Sequence, residues 1–313
     1  MFTLAHVSDW HATTLVGAPA GALATKRFWG WQSWHRSRRK RHLPQVLACI
    51  LDDLREQRPD HVVVTGDLTN IALEQEFLEA AETLRRLGEP DWVTVVPGNH
   101  DAYVGVPPER GWDCWAPYLC SDGSEPVRAP TRDEYPTLRL RAHAAIIGLC
   151  SALPTPLFMA TGELGAGQLE RLERMLVEQR QRVRVVALHH PPTDREMPRR
   201  RRLRDWRALQ AVLERAGAEL VIHGHRHRSW FGGVPGPDGP IPAAGVRSAS
   251  DIGKREGRRA QYHLYHFAPG DPVRLEVRGY DRGREAVVKE HEQVLEGTSG
   301  LRGSLRQDPL GEL

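Results

Sequence analysis

Short apolar runs alternate along the chain with segments of helical periodicity. Apolar and β-branched runs predict buried strands, together with the turns that end them, at 2–8, 61–67, 91–101, 144–151, 183–192 and 218–225. Apolar residues at helical spacing predict helices over 44–57, 73–87, 165–180 and 203–217. Strands that alternate with helices are typical of an α/β architecture.

Residues 241–280 have a different pattern, because no helical segment separates the strand-like runs. We expect strands at 245–250, 260–267 and 273–280, which would form an antiparallel portion or a second sheet. No linker composition interrupts the chain before its end. The pattern therefore predicts a single domain over 1–296, followed by a loosely ordered tail, rich in Gly, Ser and charge, at 297–313.

Composition places the chain among soluble globular proteins. The 313 residues are 40% hydrophobic and 27% charged, with a net charge of +3, so we expect no stable complex with nucleic acid. The four cysteines form no CxxC pair, and Met1 is followed by no recognisable leader. We therefore expect a cytoplasmic protein with free thiols.

Polar residues of the types that bind metals follow five of the predicted strands. They are Asp9 and His11; Asp67; Asn99, His100 and Asp101; His189 and His190; and His223, His225 and His227. Each group alone is a weak signal, because turns and caps use the same residue types. The carboxyl ends of strands in open α/β sheets lie at one edge, where ligand sites assemble. The five groups together predict one shared site.

Five short motifs resemble those of the calcineurin-like metallophosphoesterases. They are SDWH at 8–11, GD at 66–67, GNHD at 98–101, HH at 189–190 and GHRH at 224–227. The resemblance implies a four-layer αββα sandwich of two mixed sheets flanked by helices, with a dinuclear metal site at the strand-end edge. Trp10 departs from the family pattern, which has a smaller aliphatic residue there, and we expect its side chain to point into the core.

The resemblance also implies the ligands of two divalent ions. Asp9, His11 and His227 would hold the first ion, Asp67 would bridge both, and the second would be completed by Asn99, His189 and His225. Such N and O ligands without thiolate suit Mn, Fe or Zn, with Mn favoured. Spacing of two places His225 and His227 on one side of a strand, one for each ion. We expect His190 and His223 to lie nearby without binding metal.

The mechanism implied by the resemblance is hydrolysis of a phosphoester. A metal-bridging hydroxide would attack phosphorus in line, while the two ions neutralise charge on the phosphoryl oxygens. His100, beside the ligand Asn99, is the candidate general acid for the leaving group. Asp101 has two alternative roles: it orients His100, or it stabilises the turn.

A basic, aromatic insertion at 25–42 separates the first two motifs. It contains Phe28, Trp29, Trp31 and Trp34 before a run of arginines, and 195–204 forms a second basic stretch. Three interpretations remain open: a basic helix with tryptophans in the core, contact with an anionic bilayer, or stacking on nucleotide bases. Arg27, Trp29 and Arg195 are the candidate substrate-binding residues.

Two branches of the family bear on the substrate. Lys26, Arg27, Phe28 and Gly30 resemble a segment of the UDP-2,3-diacylglucosamine diphosphatases, whereas class III cyclic-nucleotide phosphodiesterases have the same metal ligands and a similar length. We favour a phosphodiesterase acting on a phosphodiester or nucleotide-containing small molecule. The alternative is a peripheral enzyme at the inner membrane face that cleaves a UDP-linked lipid. A non-catalytic scaffold is disfavoured because the metal motifs are intact, and the oligomeric state stays open.

Overall fold

A computed structural model describes residues 1–124, 128–195, 197–253, 256–268 and 271–295. The tail predicted at 297–313 lies outside the described residues. Among the described residues, no helix has both the length and the apolar composition needed to cross a bilayer. The cysteines Cys49, Cys114, Cys120 and Cys150 are free thiols.

Two six-stranded sheets form the centre of the described structure. Their strands are β1 (Phe2–Val7), β2 (His61–Val64), β3 (Val93–Val95), β4 (Thr137–Arg141), β5 (Ala144–Gly148), β6 (Val183–Leu188), β7 (Leu220–His223), β8 (Trp230–Val234), β9 (Ile241–Gly245), β10 (Gln261–Phe267), β11 (Val273–Asp281) and β12 (Ala286–Leu295). The first sheet has the order β12-β11-β10-β1-β2-β3, and the second has the order β4-β5-β6-β7-β9-β8. Both are mixed. In the first sheet, β1, β2 and β3 are parallel and are extended on one side by antiparallel pairing through β10, β11 and β12. In the second sheet, β5, β6, β7 and β9 are parallel, with β4 and β8 antiparallel at the edges.

Helices cover the outer faces of both sheets. The described α-helices are α1 (Arg27–Arg36), α2 (Pro44–Glu56), α3 (Glu74–Leu87), α4 (Ala116–Leu119), α5 (Ala166–Glu178) and α6 (Trp206–Ala216). Apolar residues of α2 and α3 pack on the first sheet, and those of α5 and α6 pack on the second. The α/β sandwich of four layers is therefore confirmed.

The alternation of side chains along each strand explains why the central strands are mostly apolar. In β2, Val62 and Val64 pack towards α2 and α3, whereas Val63 lies between the sheets. In β6, Val186 packs towards α5 and α6, and Val185 lies between the sheets. Since both faces are covered, apolar residues are favoured on both sides of these strands.

The strand predicted at 245–250 is wrong. β9 ends at Gly245, and the polypeptide continues as a loop. The Ser248 hydroxyl donates a hydrogen bond to the Asp9 carbonyl (2.6 Å), and the Ser250 hydroxyl donates to the Trp10 carbonyl. These buried side chains bind the loop after β1, so the segment supports the strand-end edge instead of extending the sheet.

The sequence pattern also missed β4, β8, β9 and β12. β8 contains two consecutive glycines, which are depleted in strands, and β12 is half polar and mostly exposed. β2 ends at Val64, and Gly66 and Asp67 form the predicted turn with left-handed backbone conformations, with φ of 85° and 57°. The remaining predicted strands and helices are present with small differences at their ends.

Candidate metal centre

The loops after β1, β2, β3, β6 and β7 meet at one edge of the sandwich, as the sequence predicts. Among the described residues, two groups have ligand atoms that lie within 4.8 Å of one another. The first consists of Asp9, His11, Asp67 and His227, and the second consists of Asp67, His189 and His225. Asp67 is the member that both groups share.

The first group surrounds the buried Asp9 carboxylate. Asp9 Oδ1 lies 3.1 Å from His227 Nε2, and His11 Nε2 lies 3.3 Å from the same nitrogen. Asp67 Oδ2 lies 3.5 Å from His11 Nε2. Asp9 Oδ1 forms no hydrogen bond with any described residue despite its burial.

The second group surrounds His189 Nε2. This nitrogen lies 3.3 Å from Asp67 Oδ2, 3.1 Å from Asn99 Oδ1 and 3.2 Å from His225 Nδ1. The structure therefore brings Asn99 to the second group, where the sequence predicts it. All seven predicted ligands lie at the two groups.

Backbone carbonyls orient three of the imidazoles. His11 Nδ1 donates to the Thr69 carbonyl (2.9 Å), and His189 Nδ1 donates to the Thr65 carbonyl (2.7 Å). His225 Nε2 donates to the Arg201 carbonyl (2.8 Å). When the ring is neutral, each bond fixes the tautomer, so the remaining ring nitrogen can present a lone pair to the centre, as in metal-binding histidines.

The donor set fits two divalent cations. Two pairs of imidazole nitrogens face each other at 3.2 and 3.3 Å, and the buried Asp9 Oδ1 lies 3.1 Å from a His227 nitrogen. Closely spaced nitrogen and carboxylate oxygen atoms in a buried site favour positive charge between them, which divalent cations would supply. Imidazole, carboxylate and amide oxygen without thiolate suit Mn, Fe or Zn.

The charges around the shared Asp67 carboxylate also favour a bound cation. Burial opposes ionisation of Asp67, but the adjacent His189 and His100 hold its pKa well below the usual value. Burial likewise disfavours charged His189, but the Asp67 charge dominates and raises the pKa of His189 to about 9. Asp67 is thus an anion within a water-poor site that favours cations.

Five of the predicted ligands adopt left-handed backbone conformations. Values of φ are 53° at Asp9, 45° at His11, 57° at Asp67, 70° at His225 and 51° at His227. Such conformations cost about 1–3 kcal/mol each for residues other than glycine, and they cluster at functional sites. The strand-end loops therefore turn sharply to aim these side chains at one point.

Asp101 holds two of the loops together. Its carboxylate accepts hydrogen bonds from the amides of Asp67 (2.8 Å), Leu68 (2.9 Å), Thr69 (3.0 Å) and Gly98 (2.9 Å). These contacts link the loop after β2 to the loop after β3. They correspond to the turn-stabilising alternative for Asp101.

His100 lies beside the metal ligands and is oriented by Asn70. Its Nδ1 donates to the Asn70 carbonyl (2.5 Å), and its backbone amide donates to Asp67 Oδ1 (2.7 Å). The Tyr103 ring stacks on the imidazole at 5.6 Å between centroids. Arg38 also contacts the ring, with two guanidinium nitrogens each 3.2 Å from a ring nitrogen.

Sequence reasoning missed Asn70 and Arg38. Asn70 is three residues after the predicted bridging ligand, but its role depends on a backbone carbonyl, which leaves no residue-type signal. Arg38 is one of several arginines in a run, and the sequence does not distinguish it. His42 was also missed: its buried ring packs at 5.1 Å from His11, and its Nδ1 contacts the Ser250 hydroxyl.

The insertion at 25–42 forms α1 and docks on the loops of the metal centre. The Arg27 guanidinium donates to the carbonyls of Ile71 (3.0 Å) and Ala72, and the Lys26 ammonium lies 4.3 Å from the Tyr103 ring centroid. A Cβ at Gly30 would overlap the Ile71 side chain and crowd the Tyr103 hydroxyl, so glycine permits this close approach.

The other aromatic and basic candidates differ in exposure. Trp34 is buried and Trp31 packs against the same cluster, whereas Trp29 is 50% exposed. Arg195 is exposed, and its backbone amide donates to the Thr193 hydroxyl. The interpretation of a basic helix with tryptophans in the core therefore holds for part of the insertion only.

The core around the site contains three residues that the sequence analysis does not predict to bind metal. Trp10 is buried against α2 and α3, as predicted. His190 contacts the Ser151 hydroxyl (2.8 Å) through Nδ1, and His223 donates from Nδ1 to the Gly224 carbonyl (3.0 Å). Neither histidine belongs to the two ligand groups found among the described residues.

Comparison with known proteins agrees with this geometry. Residues 2–229 match the family described as "Calcineurin-like phosphoesterase". The chain belongs to this family.

This calcineurin-like phosphoesterase is similar to a characterised relative and to a solved structure. It is 31% identical over 147 residues to glycerophosphodiester phosphodiesterase GpdQ of Enterobacter lignolyticus, a match that covers 45% of each chain. The chain therefore spans about half the length of that relative. Its fold is similar to purple acid phosphatase PPD1 from yellow lupin (Lupinus luteus), with a TM-score of 0.53, 12% identity, and coverage of 92% of this chain and 52% of the other.

The shared carboxylate gives a direct prediction about metal content. We expect the protein to retain two divalent ions per chain after loading with Mn²⁺ and dialysis. Asp67→Ala should lose at least one ion and nearly all hydrolysis, because both groups lose a ligand. Metal content is measured by inductively coupled plasma mass spectrometry.

A matched control is Asp52→Ala on α2, where the carboxylate side chain is 71% exposed. This variant should retain both ions. If Asp67→Ala binds two ions and hydrolyses at the original rate, Asp67 is not the bridging ligand.

Proposed function

We propose that this protein is a phosphodiesterase that uses two divalent ions, with Mn²⁺ favoured, to hydrolyse a phosphodiester or nucleotide-containing small molecule. The observation that carries the proposal is the pair of ligand groups that share Asp67, with His100 at their side. Two ions held there would activate water and neutralise charge on the phosphoryl oxygens. The intact ligand set also argues against a non-catalytic scaffold.

The protein residues have separate roles in this proposal. The two ions would be held by Asp67 together with Asp9, His11, His227, Asn99, His189 and His225. Asp101 is a positioning residue, because its carboxylate fixes the loops that carry Asp67 and Asn99. His100 delivers a proton to the leaving oxygen, with its ring held in place by the Asn70 carbonyl.

Protonation of His100 depends on what the site binds. Burial, followed by the Arg38 charge, lowers the pKa of His100 to about 3 in the ion-free protein. The ring is then neutral near pH 7, with its Nδ1 proton donated to Asn70. Proton delivery therefore requires that the negative charge of the bound phosphoryl group outweigh the charges of Arg38 and of the two ions.

A diester substrate is supported by the resemblance to GpdQ. That protein is named as a glycerophosphodiester phosphodiesterase, and the match covers 147 residues of this chain. Monoesters and diesters use the same pair of ions, so the ligands alone do not select between them.

The substrate class is tested by assaying Mn²⁺-loaded protein against a panel. The panel contains bis(p-nitrophenyl) phosphate, p-nitrophenyl phosphate, cyclic AMP, a glycerophosphodiester and UDP-2,3-diacylglucosamine, with products identified by mass. We expect the small diesters to be cleaved faster than the monoester. Exclusive cleavage of the monoester, or no cleavage of any diester, would overturn the proposal.

Replacement of His100 tests the proton donor. His100→Asn should leave both ions bound and should slow esters with poor leaving groups much more than activated aryl esters, since the latter need no proton. Initial rates for an alkyl and an aryl diester provide the comparison, with metal content as the control. An equal loss on both substrates would argue against the general-acid role.

A second candidate function is cleavage of a UDP-linked lipid at a membrane surface. An exposed apolar patch favours it: Phe28 (40% exposed) and Trp29 (50%) on α1 lie beside Phe158 (72%), with Trp29 and Phe158 rings 6.1 Å apart. Lys26 donates to the Thr155 carbonyl (2.6 Å), which ties α1 to the Phe158 loop.

Both basic stretches border this patch. Exposed Arg36 ends α1, and exposed Arg39 and Lys40 follow it. The Ala160 amide donates to the Arg200 carbonyl (2.8 Å), which places the 199–201 segment beside the Phe158 loop. Aromatic side chains beside cationic ones suit the interface of an anionic bilayer. This arrangement is compatible with a location at the inner membrane face.

The lipid candidate predicts binding to anionic vesicles. Replacing Trp29 and Phe158 together by Ala should weaken sedimentation with vesicles of phosphatidylglycerol and phosphatidylcholine, because both exposed rings are lost. Trp31 is a poorer choice, since it packs within the protein. The double variant Leu78→Ala and Val177→Ala removes exposed apolar side chains elsewhere and should bind as before. Equal binding by all three proteins would contradict the membrane contact.

A further inference from the structure

Arg38 occupies a position that the metal ligands leave unexplained. It begins the short 3₁₀ turn Arg38–Lys40 after α1 and is partly buried, whereas the neighbouring Arg36, Arg39 and Lys40 are exposed. Its Nη1 lies 3.2 Å from His100 Nδ1, and its Nη2 lies 3.2 Å from His100 Nε2. The guanidinium therefore lies directly against the candidate proton donor.

The charge of Arg38 has no carboxylate partner within the described part of the chain. Other buried or half-buried arginines have fixed partners: Arg184 pairs with Glu219 (2.8 Å), Arg278 pairs with Asp53 (2.8 Å), and Arg27 donates to the carbonyls of Ile71 and Ala72. Arg41, three residues further on, pairs with Asp251 (2.6 Å). Arg38 instead lies against the His100 imidazole, whose Nδ1 donates to the Asn70 carbonyl. A partly buried cation in this position is stabilised when an anion enters the site.

The polypeptide around Arg38 is held on both sides. Before it, Gly30 lets α1 approach Ile71 and Tyr103 closely. After it, the amides of Arg41 (2.9 Å) and His42 (2.8 Å) donate to the Arg38 carbonyl. His42 is itself anchored to the Ser250 hydroxyl (2.9 Å). The guanidinium is thus placed by the docked insertion before any ligand binds, which reduces the cost of ordering it on binding.

We propose that Arg38 binds a non-bridging oxygen of the substrate phosphoryl group on the His100 side of the metal centre. A guanidinium presents a planar fork of donors that matches phosphate oxygens, and it remains charged at all relevant pH values. The insertion thereby contributes a phosphate-binding side chain to a centre otherwise built from the strand-end loops. This inference rests on the proposed function, because it assigns a contact to the same phosphoester substrate.

Arg38 also links substrate binding to His100. An anionic oxygen held by the guanidinium compensates the charge that faces the imidazole. The same contact keeps the phosphoryl group close to the ring that protonates the leaving oxygen. Loss of Arg38 should therefore affect both the binding of phosphate and the rate of the chemical step.

The experiment compares Arg38→Ala and Arg38→Lys with Arg39→Ala, which removes an exposed arginine from the same turn. The probe is inorganic phosphate, whose binding to the Mn²⁺-loaded proteins is measured by isothermal titration calorimetry. We expect Arg38→Ala to weaken phosphate binding by about tenfold or more, because a hydrogen bond to a charged group is lost. Arg38→Lys should show a smaller loss, and Arg39→Ala should bind as the original protein does.

Kinetics on bis(p-nitrophenyl) phosphate provide the second readout. Arg38→Ala should reduce kcat/KM by about 100-fold, comparable to the loss of one oxyanion donor in other enzymes. Free guanidinium ion should restore part of the activity to this variant. Metal content and Tm should stay unchanged in all three variants.

Failure of this inference is distinguishable from failure of the proposed function. If the original protein cleaves the diester and Arg38→Ala equals it in rate and phosphate affinity, Arg38 does not bind phosphate. Loss of metal or a lowered Tm in both Arg38 variants would assign the residue a structural role and also overturn the inference. If the original protein cleaves no diester, the proposed function fails, while the phosphate titration still decides whether Arg38 binds the anion.

Discussion

The Asp67 carboxylate lies between two groups of imidazoles, and its position is the constraint on which the rest of the site depends. It lies 3.3 Å from His189 and 3.5 Å from His11, and it also accepts the His100 amide. A left-handed backbone at Asp67 turns the side chain inwards, while Asp101 holds the surrounding amides. The strain and the buried negative charge are both tolerated because the site is built to bind cations.

The sandwich supplies the rigidity that this arrangement needs. Five parallel strands end at the same edge, and their fully buried valines, leucines and isoleucines fix the starting points of the ligand loops. The loop after β9 then crosses the edge, and Ser248 and Ser250 bind the carbonyls of Asp9 and Trp10. Helix α1 covers another side of this edge, where Arg27 and Gly30 lie against the loop after β2. This edge of the sandwich is therefore covered in part by an insertion that the sheets themselves do not require.

Much of this could be predicted from the sequence, and the exceptions have physical causes. Apolar runs identify the central strands because both faces are buried, and the seven candidate ligands follow from residue types at strand ends together with the resemblance to the calcineurin-like family. The strand predicted at 245–250 failed because its serines bind backbone carbonyls, which apolar patterning does not reveal. The roles of Asn70 and Arg38 depend on which atoms meet in three dimensions. Asn70 acts through its carbonyl oxygen, and Arg38 is one of several arginines in a basic run.

The site around Asp67 should hold two ions, one on each side of the carboxylate. Anomalous X-ray diffraction from crystals soaked in Mn²⁺ tests this arrangement, because the anomalous signal locates the metal atoms without reference to activity. We expect two peaks about 3.5–4 Å apart, one near Asp9, His11 and His227 and the other near Asn99, His189 and His225. A single peak in one ligand group, or peaks away from Asp67, would contradict it.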